Sequence, residues 1–441
     1  MHEKTADDIR KIIAEQNIKF LRLQFVDIFG IMKNICTTTD ELDKILNNEM
    51  MFDGSSIQGF VRIEESDMYL YPDLSTFTIL PWFKETKIAR IICDIYRPNG
   101  NAFSGDPRYV LRRAIKNAND MGYEFCVGPE CEFFLFNTDE KNIEPITHDK
   151  ASYFDLAPID NGELARIDMV NNLIKMGFKI EGAHHENAPG QHEIDFRYSN
   201  ALNSADNIVT FKLVVKTIAK KFNLHATFMP KPINNECGSG MHCNMSLFKN
   251  NTNAFYDSTD ENGLSKEAYY FIGGLMKHAK AITAITNPTI NSYKRLIPGY
   301  EAPIHIAWST SNRSPLIRVP AARNQATRLE LRNPDPSCNP YLALAVMLSS
   351  GLDGIKNKIE PPNAIDKNIY GMSELDLKNS NIDSLPKNLI DAINELMKDE
   401  IIKDTLGEHV FNNFVKAKKI EWADYMSTVH SWEINKYFTM Y

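Results

Sequence analysis

The chain has 441 residues, 43% of them hydrophobic, with a formal net charge of −8 and a pI near 5.8. That acidity argues against a nucleic-acid partner, and the length suits two units with a substantial core. Seven cysteines with no C-x-x-C pair argue against a disulfide framework or a structural zinc module. No apolar N-terminal region and no membrane-length apolar run stand out, so a cytoplasmic protein is expected.

Residues 3–17 have a charged, helical pattern. Residues 18–27 alternate as a strand, with Phe20, Arg22, Gln24 and Val26 on one face. Asp27 to Gly30 supply a turn into a second strand at 31–36, and a further strand is expected at 87–95. This is a small α+β unit. The turn-rich stretch Y-R-P-N-G-N-A-F-S-G-D-P at 96–107 divides the chain into residues 1–103 and 107–441. Pro107 suits the first turn of a helix running to about Met121.

Three later segments repeat one design. Glu130 and Glu132 leave the same face of a strand. So do His242, Asn244 and Ser246, with Met241, Cys243 and Met245 opposite. Arg328, Glu330 and Arg332 share a face, with Leu329 and Leu331 behind them. One such polar face is ordinarily a solvated face; three together suggest a shared, ion-filled cavity. The last third of the chain is helical in pattern.

Glu130, Glu132, Glu186, Glu193, His242 and Glu330 form a candidate metal set. Oxygen-rich sets suit Mg²⁺ or Mn²⁺, and zinc fits less well without thiolates. His184 and His185 are expected to be structural. Arg295, Arg313, Arg318, Arg328 and Arg332 can each grip a carboxylate or phosphate through two hydrogen bonds, as phosphoryl transfer requires. There is no G-x-x-x-x-G-K-[ST], so this is not a P-loop protein. The small residues of G-S-G at 238–240 allow close backbone approach to a small ligand.

Six motifs follow one another in order: D-G-S-S at 53–56, E-C-E at 130–132, H-H-E-N-A-P-G-Q-H-E at 184–193, G-S-G-M-H at 238–242, Y-K-R-L-I-P-G-Y-E at 293–301 and R-L-E-L-R at 328–332. From about Ile18 to Tyr441 the chain resembles class I glutamine synthetase of the alpha branch. The resemblance implies a β-grasp domain followed by a larger α+β catalytic domain around a curved antiparallel sheet. It implies ATP-dependent ligation of ammonia to glutamate through γ-glutamyl phosphate, for nitrogen assimilation, in a homododecamer of two stacked hexamers with no nucleic acid or membrane. Regulatory proteins or metabolite effectors are further candidate partners. One cation would be held by Glu132, Glu186 and Glu193, and another by Glu130, His242 and Glu330. Glutamate would meet Glu132, Gly238, His242, Arg295 and Arg332. Glu181, Ser246, Arg313, Arg318 and Arg328 would serve ATP, with Arg313 catalytic beside Asp53 and Glu301. Asp53, Ser56, Asp67, Tyr153, Glu186 and Glu301 would form the ammonium pocket, with Asp53 acting on a neighbouring subunit, and Arg62 would mediate feedback inhibition by glutamine.

Three positions depart from the family pattern. Cys237 stands where Asn is usual, Gln325 where some members carry a nucleotide-facing lysine, and Tyr370 lacks the flanking L-P-P-E-E of the adenylylated branch. The alternatives are a ligase of the same family using a larger amine, against which the acids Asp53, Asp67 and Glu301 argue, and a catalytically dead relative kept for binding, against which the full metal set argues.

Overall fold

The computed structural model describes residues 4–57, 59, 66–138, 146–300, 302–367, 369–372, 374–380 and 382–441. Arg62, Glu301 and the side chain of Tyr370 lie outside the described residues. The chain begins with helix α1 (Ala6–Gln16), closed at its start by a capping box between Thr5 and Asp8 and anchored by buried Ile9 and Ile13. Strands β1 (Phe20–Val26) and β2 (Met32–Thr38) form the expected hairpin. Asp27 Oδ1 accepts the Phe29 and Ile31 N–H groups at 2.9 and 3.0 Å, and Gly30 takes the left-handed φ of +80° that closes the turn. With β3 (Met50–Asp53), β4 (Asp67–Ile79) and β5 (Ile88–Tyr96) they make a sheet in the order β2-β1-β5-β4-β3, with β1 and β5 parallel.

Asp106 caps α2 (Pro107–Asp120), and Pro107 occupies its first turn. There follow β6 (Glu124–Asn137), α3 (Glu163–Lys175), β7 (Ile180–His185), β8 (Gln191–Phe196), α4 (Ala201–Lys221), β9 (Met241–Lys249), α5 (Lys266–Thr286), β10 (Leu329–Leu331), α6 (Pro340–Asn357), α7 (Leu389–Leu396) and α8 (Glu400–Ser427). A curled sheet runs from the short strands Trp308–Ser309 and Ile317–Arg318 through β10-β9-β6-β8-β7. Cys131, Phe133, Met241, Cys243, Met245, Leu329 and Leu331 on its apolar face are fully buried, and α4 packs against β6. Burial of these side chains anchors the sheet, at roughly 1.5–3 kcal/mol for each large apolar residue. The architecture is the expected α+β pair of sheets. Among the described residues no helix is long and apolar enough to cross a membrane.

The two sheets are joined by charge. Arg108 of α2 is 2% exposed and reaches Asp73 and Asp94 of the first sheet at 2.6 Å and Asp206 of α4 at 2.9 Å. Arg112 adds contacts of 3.0 Å to Asp73 and Asp94, and the Tyr341 hydroxyl donates to Asp206 at 2.7 Å.

Candidate active site

Strand register brings the three polar faces together. Glu130 of β6 lies opposite His242 of β9, Glu132 opposite Glu193 of β8, and Asn244 opposite Glu330 of β10. Because alternate residues share a face, one polar side of the curled sheet carries all of them. It floors a cavity of about 680 Å³ whose walls hold Arg295, Arg313, Arg318 and Arg332.

Ligand-type atoms of Glu130, His242 and Glu330 lie within 4.8 Å of one another. Glu330 is buried and accepts from Arg332 and, at 2.9 Å, from Arg318. Burial alone raises the Glu130 carboxyl, but its hydrogen bonds with His242 (3.3 Å) and Asn244 (2.8 Å) outweigh this and hold it at about 2. Burial, with the Arg332 charge, lowers His242. It is therefore a neutral imidazole at pH 7, the form that binds a metal.

The second acidic group is more crowded. Glu132 accepts from Gln191 Nε2 at 2.8 Å and the Gly240 N–H at 2.9 Å, yet burial and then the Glu186 charge push it to about 8. Glu193 is raised by burial, Asp195 and Glu132, and Asp195 is pushed by burial to about 6. Buried carboxylates that repel one another are what a divalent cation would relieve. Here the ligand-type atoms within 4.8 Å of one another are those of His184, Glu193 and Asp195, with Glu186 3.5 Å from His184 and the Glu132 charge acting on Glu193, an oxygen-rich donor set suited to a hard metal ion. A Cβ on Gly240 would stand 2.6 Å from an Arg295 guanidinium nitrogen and 3.0 Å from His242 Nε2, so a larger residue here would displace the Arg295 head from its place beside Glu132.

Gly238 and Tyr153 also line the cavity, as does Cys237, one of the departures noted above. Arg295 is buried and donates to the carbonyls of Asn333 (2.7 Å) and Arg332 (3.2 Å). Ser246, Arg328 and Glu181 do not line it. Ser246 donates to the Thr327 carbonyl at 3.1 Å, and Arg328 to Asn244 at 3.0 Å. Glu181 is exposed, 3.5 Å from Arg197. Asp53, Ser56 and Asp67 sit exposed on the first sheet, with Asp53 opposite Asp67 in the β3–β4 register. They are not brought to the cavity of their own chain.

The expectation for His184 needs correcting. It lines the cavity, 3.5 Å from Glu186 and 3.8 Å from Glu193, whereas His185 is fully buried behind it. Adjacent strand residues point to opposite faces, so the two could not share one role. Asp195 was missed, although its spacing of two from Glu193 in H-E-I-D puts it on the same face. Gln191 and Tyr300 were also missed, and no signal short of the folded turn marks them.

A family profile described as glutamine synthetase, catalytic domain, matches residues 104–437, and one described as glutamine synthetase, beta-Grasp domain, matches residues 17–98. The chain belongs to the glutamine synthetase family. Glutamine synthetase of Clostridium saccharobutylicum is 57% identical over 443 residues, covering 100% of both chains. That of Staphylococcus aureus (strain MRSA252) is 55% identical, covering 99% of each. Among solved structures, a chain titled GmaS/ADP complex superposes with a TM-score of 0.89 at 32% identity, over 99% of this chain and 100% of that one. Plasmodium falciparum glutamine synthetase, seen by cryoEM, gives 0.88 at 28% identity, over 98% and 99%. The chain is thus an enzyme of the glutamate–ammonia ligase kind, and glutamine synthetases act on glutamate, ammonia and ATP with divalent metal.

Proposed function

We propose that the chain is a type I-alpha glutamine synthetase whose cavity carries out both half-reactions. A glutamate γ-carboxylate oxygen attacks the terminal phosphorus of ATP, and ADP leaves. Ammonia then attacks the acyl carbon of γ-glutamyl phosphate, and phosphate departs with the bonding pair. Arg295 and the backbone at Gly238 orient glutamate, with Glu132, His242 and Arg332 around it. Arg313, Arg318 and Arg332 stabilise negative charge on the moving phosphoryl group, worth roughly 3–4 kcal/mol for each well-placed donor. Glu181, Ser246 and Arg328 extend this face toward the nucleotide. Two Mg²⁺ or Mn²⁺ ions, held by Glu132, Glu186 and Glu193 and by Glu130, His242 and Glu330, supply charge neutralisation when bound.

Ammonium is captured as a cation by Tyr153 and Glu186 of one copy with Asp53, Ser56 and Asp67 of a neighbour. Side-chain and then backbone hydrogen bonds from Ser55 hold Asp53 below the usual carboxylate range, so it is charged and ready for a cation. Exclusion of water from the occupied pocket, of which Glu301 is the remaining acid, would raise Asp53 again by desolvation, and Asp53 then takes the ammonium proton. This division of labour requires an oligomer, read here as two stacked hexamers in the cytoplasm. The same reading divides the chain into a β-grasp unit, 1–103, and a catalytic unit, 107–441. Arg62, nine positions after Asp53 in the sequence, serves feedback inhibition by glutamine.

The observation that carries this reading is the convergence of the paired carboxylates and four arginines on one cavity. Phosphate release from ATP and glutamate tests it, with ammonium set against putrescine. Ammonium should drive release, and preference for putrescine would overturn the choice of amine. Asp53→Ala should abolish ammonium use while calorimetric ATP binding survives. Loss of both in step would make Asp53 structural.

A further inference from the structure

Behind the cavity, a buried cluster takes no part in the reaction as derived. His148, Asp149, Asp160 and His192 bring ligand-type atoms within 4.8 Å of one another. One side of it is already met by a cation. Arg166 lies 2.7 Å from Asp160 Oδ2 and 2.8 Å from His192 Nδ1.

Asp149 has a different set of partners. The turn between β7 and β8 is closed by the Glu186 N–H donating to the Gln191 carbonyl at 2.8 Å and the Gln191 N–H to the Ala188 carbonyl at 3.0 Å. Gly190 in that turn has φ +71°, and a Cβ there would stand 2.8 Å from the Leu135 carbonyl, so the turn tolerates no other residue without shifting. Asp149 Oδ1 accepts the Gly190 N–H at 2.9 Å and lies 3.3 Å from His185 Nε2. The opposite ring nitrogen of His185 donates to the Glu186 carbonyl at 2.7 Å. Asp149 Oδ2 stands 2.9 Å from His148 Nε2, and His148 Nδ1 is 2.9 Å from the Leu135 carbonyl. One carboxylate, 6% exposed, therefore grips both ends of the turn and, through His148, the neighbouring strand β6. From the turn itself Gln191 reaches Glu132 at 2.8 Å.

We propose that Asp149 is a positioning residue for cation binding: by fixing the 186–191 turn through His185 and Gly190, it aims Glu186, Gln191 and Glu193 so that Glu132, Glu186 and Glu193 converge on one ion. It touches neither ion nor substrate. This rests on the cation assignment made above, and groups that orient metal ligands characteristically change affinity by about 10–100-fold when removed.

The test is Mn²⁺ binding to metal-free protein, read from the electron paramagnetic resonance signal of free Mn²⁺ with no substrate present. Wild type should show two classes of site, and Glu330→Ala should lose one of them. Asp149→Asn keeps the volume and one acceptor oxygen. It should weaken the class that Glu330→Ala retains by at least about tenfold, leave the other class unchanged and keep the wild-type circular dichroism spectrum. His185→Gln should do the same. Wild-type affinity at both classes in a folded Asp149→Asn protein overturns the proposal. If Asp149→Asn does not fold, His185→Gln decides on the same criterion. Failure of both to fold makes Asp149 a folding residue and also overturns it. If wild type shows no two classes, the cation assignment itself falls, and this inference with it.

Discussion

Two charged clusters in this molecule use the same residue types to opposite ends. At the junction of the sheets, Asp73 and Asp94 are each paired with Arg108 and Arg112 and Asp206 with Arg108, while buried Arg90, donating to the Thr210 hydroxyl at 3.0 Å, adds a third positive charge near Asp206, so the acids and bases match in number. Around the cavity, among the described residues, six carboxylates face four guanidiniums. The surplus lies on one side, where Glu132, Glu193 and Asp195 are all pushed upward, while Arg318 and Arg332 sit on Glu330 at the other. A balanced buried cluster is finished when the chain folds. An unbalanced one is finished only by a ligand, and that imbalance distinguishes a site from a strut.

The largest expected effect comes from breaking the unbalanced cluster. Glu330→Ala should cut ATP-dependent glutamine synthesis by at least about a hundredfold, because its loss leaves Arg318 and Arg332 unpaired where phosphate charge develops. Circular dichroism and light scattering should be unchanged. Near-normal turnover at saturating Mg²⁺ would remove Glu330 from the site.

The matching substitution at the junction should act on stability instead. Arg108→Met leaves three aspartates without their shared partner, only two of them in reach of Arg112. Breaking a buried pair in this way typically costs about 3–5 kcal/mol. Urea unfolding should show that loss, and any folded enzyme should retain its KM values. A variant as stable as wild type would mean that the junction is held by apolar packing alone.

Much of this contrast is legible in the sequence, and the rest fails for definite reasons. The faces of β6, β9 and β10 follow from two-residue spacing, and the β1–β2 hairpin from Asp27 to Gly30. The long strand β4 was not legible. Pro72 interrupts its pattern, and the register slips between Asp73 and Thr78, so alternation is lost where it would be counted. Asp149 was invisible because its partners, His185 and Gly190, lie 36 and 41 residues away. Which of many arginines is buried, such as Arg108, depends on packing that no local pattern encodes.

Protonation offers a finer test of the imbalance. In the metal-free protein Glu132 is raised from 4.5 to about 8 by burial and the Glu186 charge. A carboxyl whose folded value is raised favours folding while it is protonated in both states, below about 4.5. That contribution is lost as pH rises toward 8, because the unfolded chain ionises freely and the folded one cannot. The Tm of metal-free wild type should therefore fall between pH 4.5 and 8 more steeply than that of Glu132→Gln. Saturating Mg²⁺ should remove most of the difference and release protons as it binds. Parallel Tm profiles would show that the cavity acids are already compensated.

The smallest effect is expected at Asp106, which caps α2 beside the balanced cluster. Its carboxylate accepts the Ile95 N–H at 3.0 Å and the Arg108 N–H at 2.9 Å, but burial and then the Asp94 charge raise it to about 7. By the same sign rule, its contribution is present below its ordinary value of 3.8 and lost as pH rises through 7. Asparagine keeps an acceptor at the helix N-cap, where it ranks with aspartate, and cannot ionise. Asp106→Asn should thus lie within about 1 kcal/mol of wild type near neutrality, because the cap is preserved. It should flatten the Tm profile between pH 4 and 7 and equal or exceed wild type at pH 8. If Asp106→Asn were instead several kcal/mol less stable at pH 8, the charged carboxylate would be a working partner of Arg108. The junction would then draw on four acids rather than three, and its balance of charge would have to be redrawn.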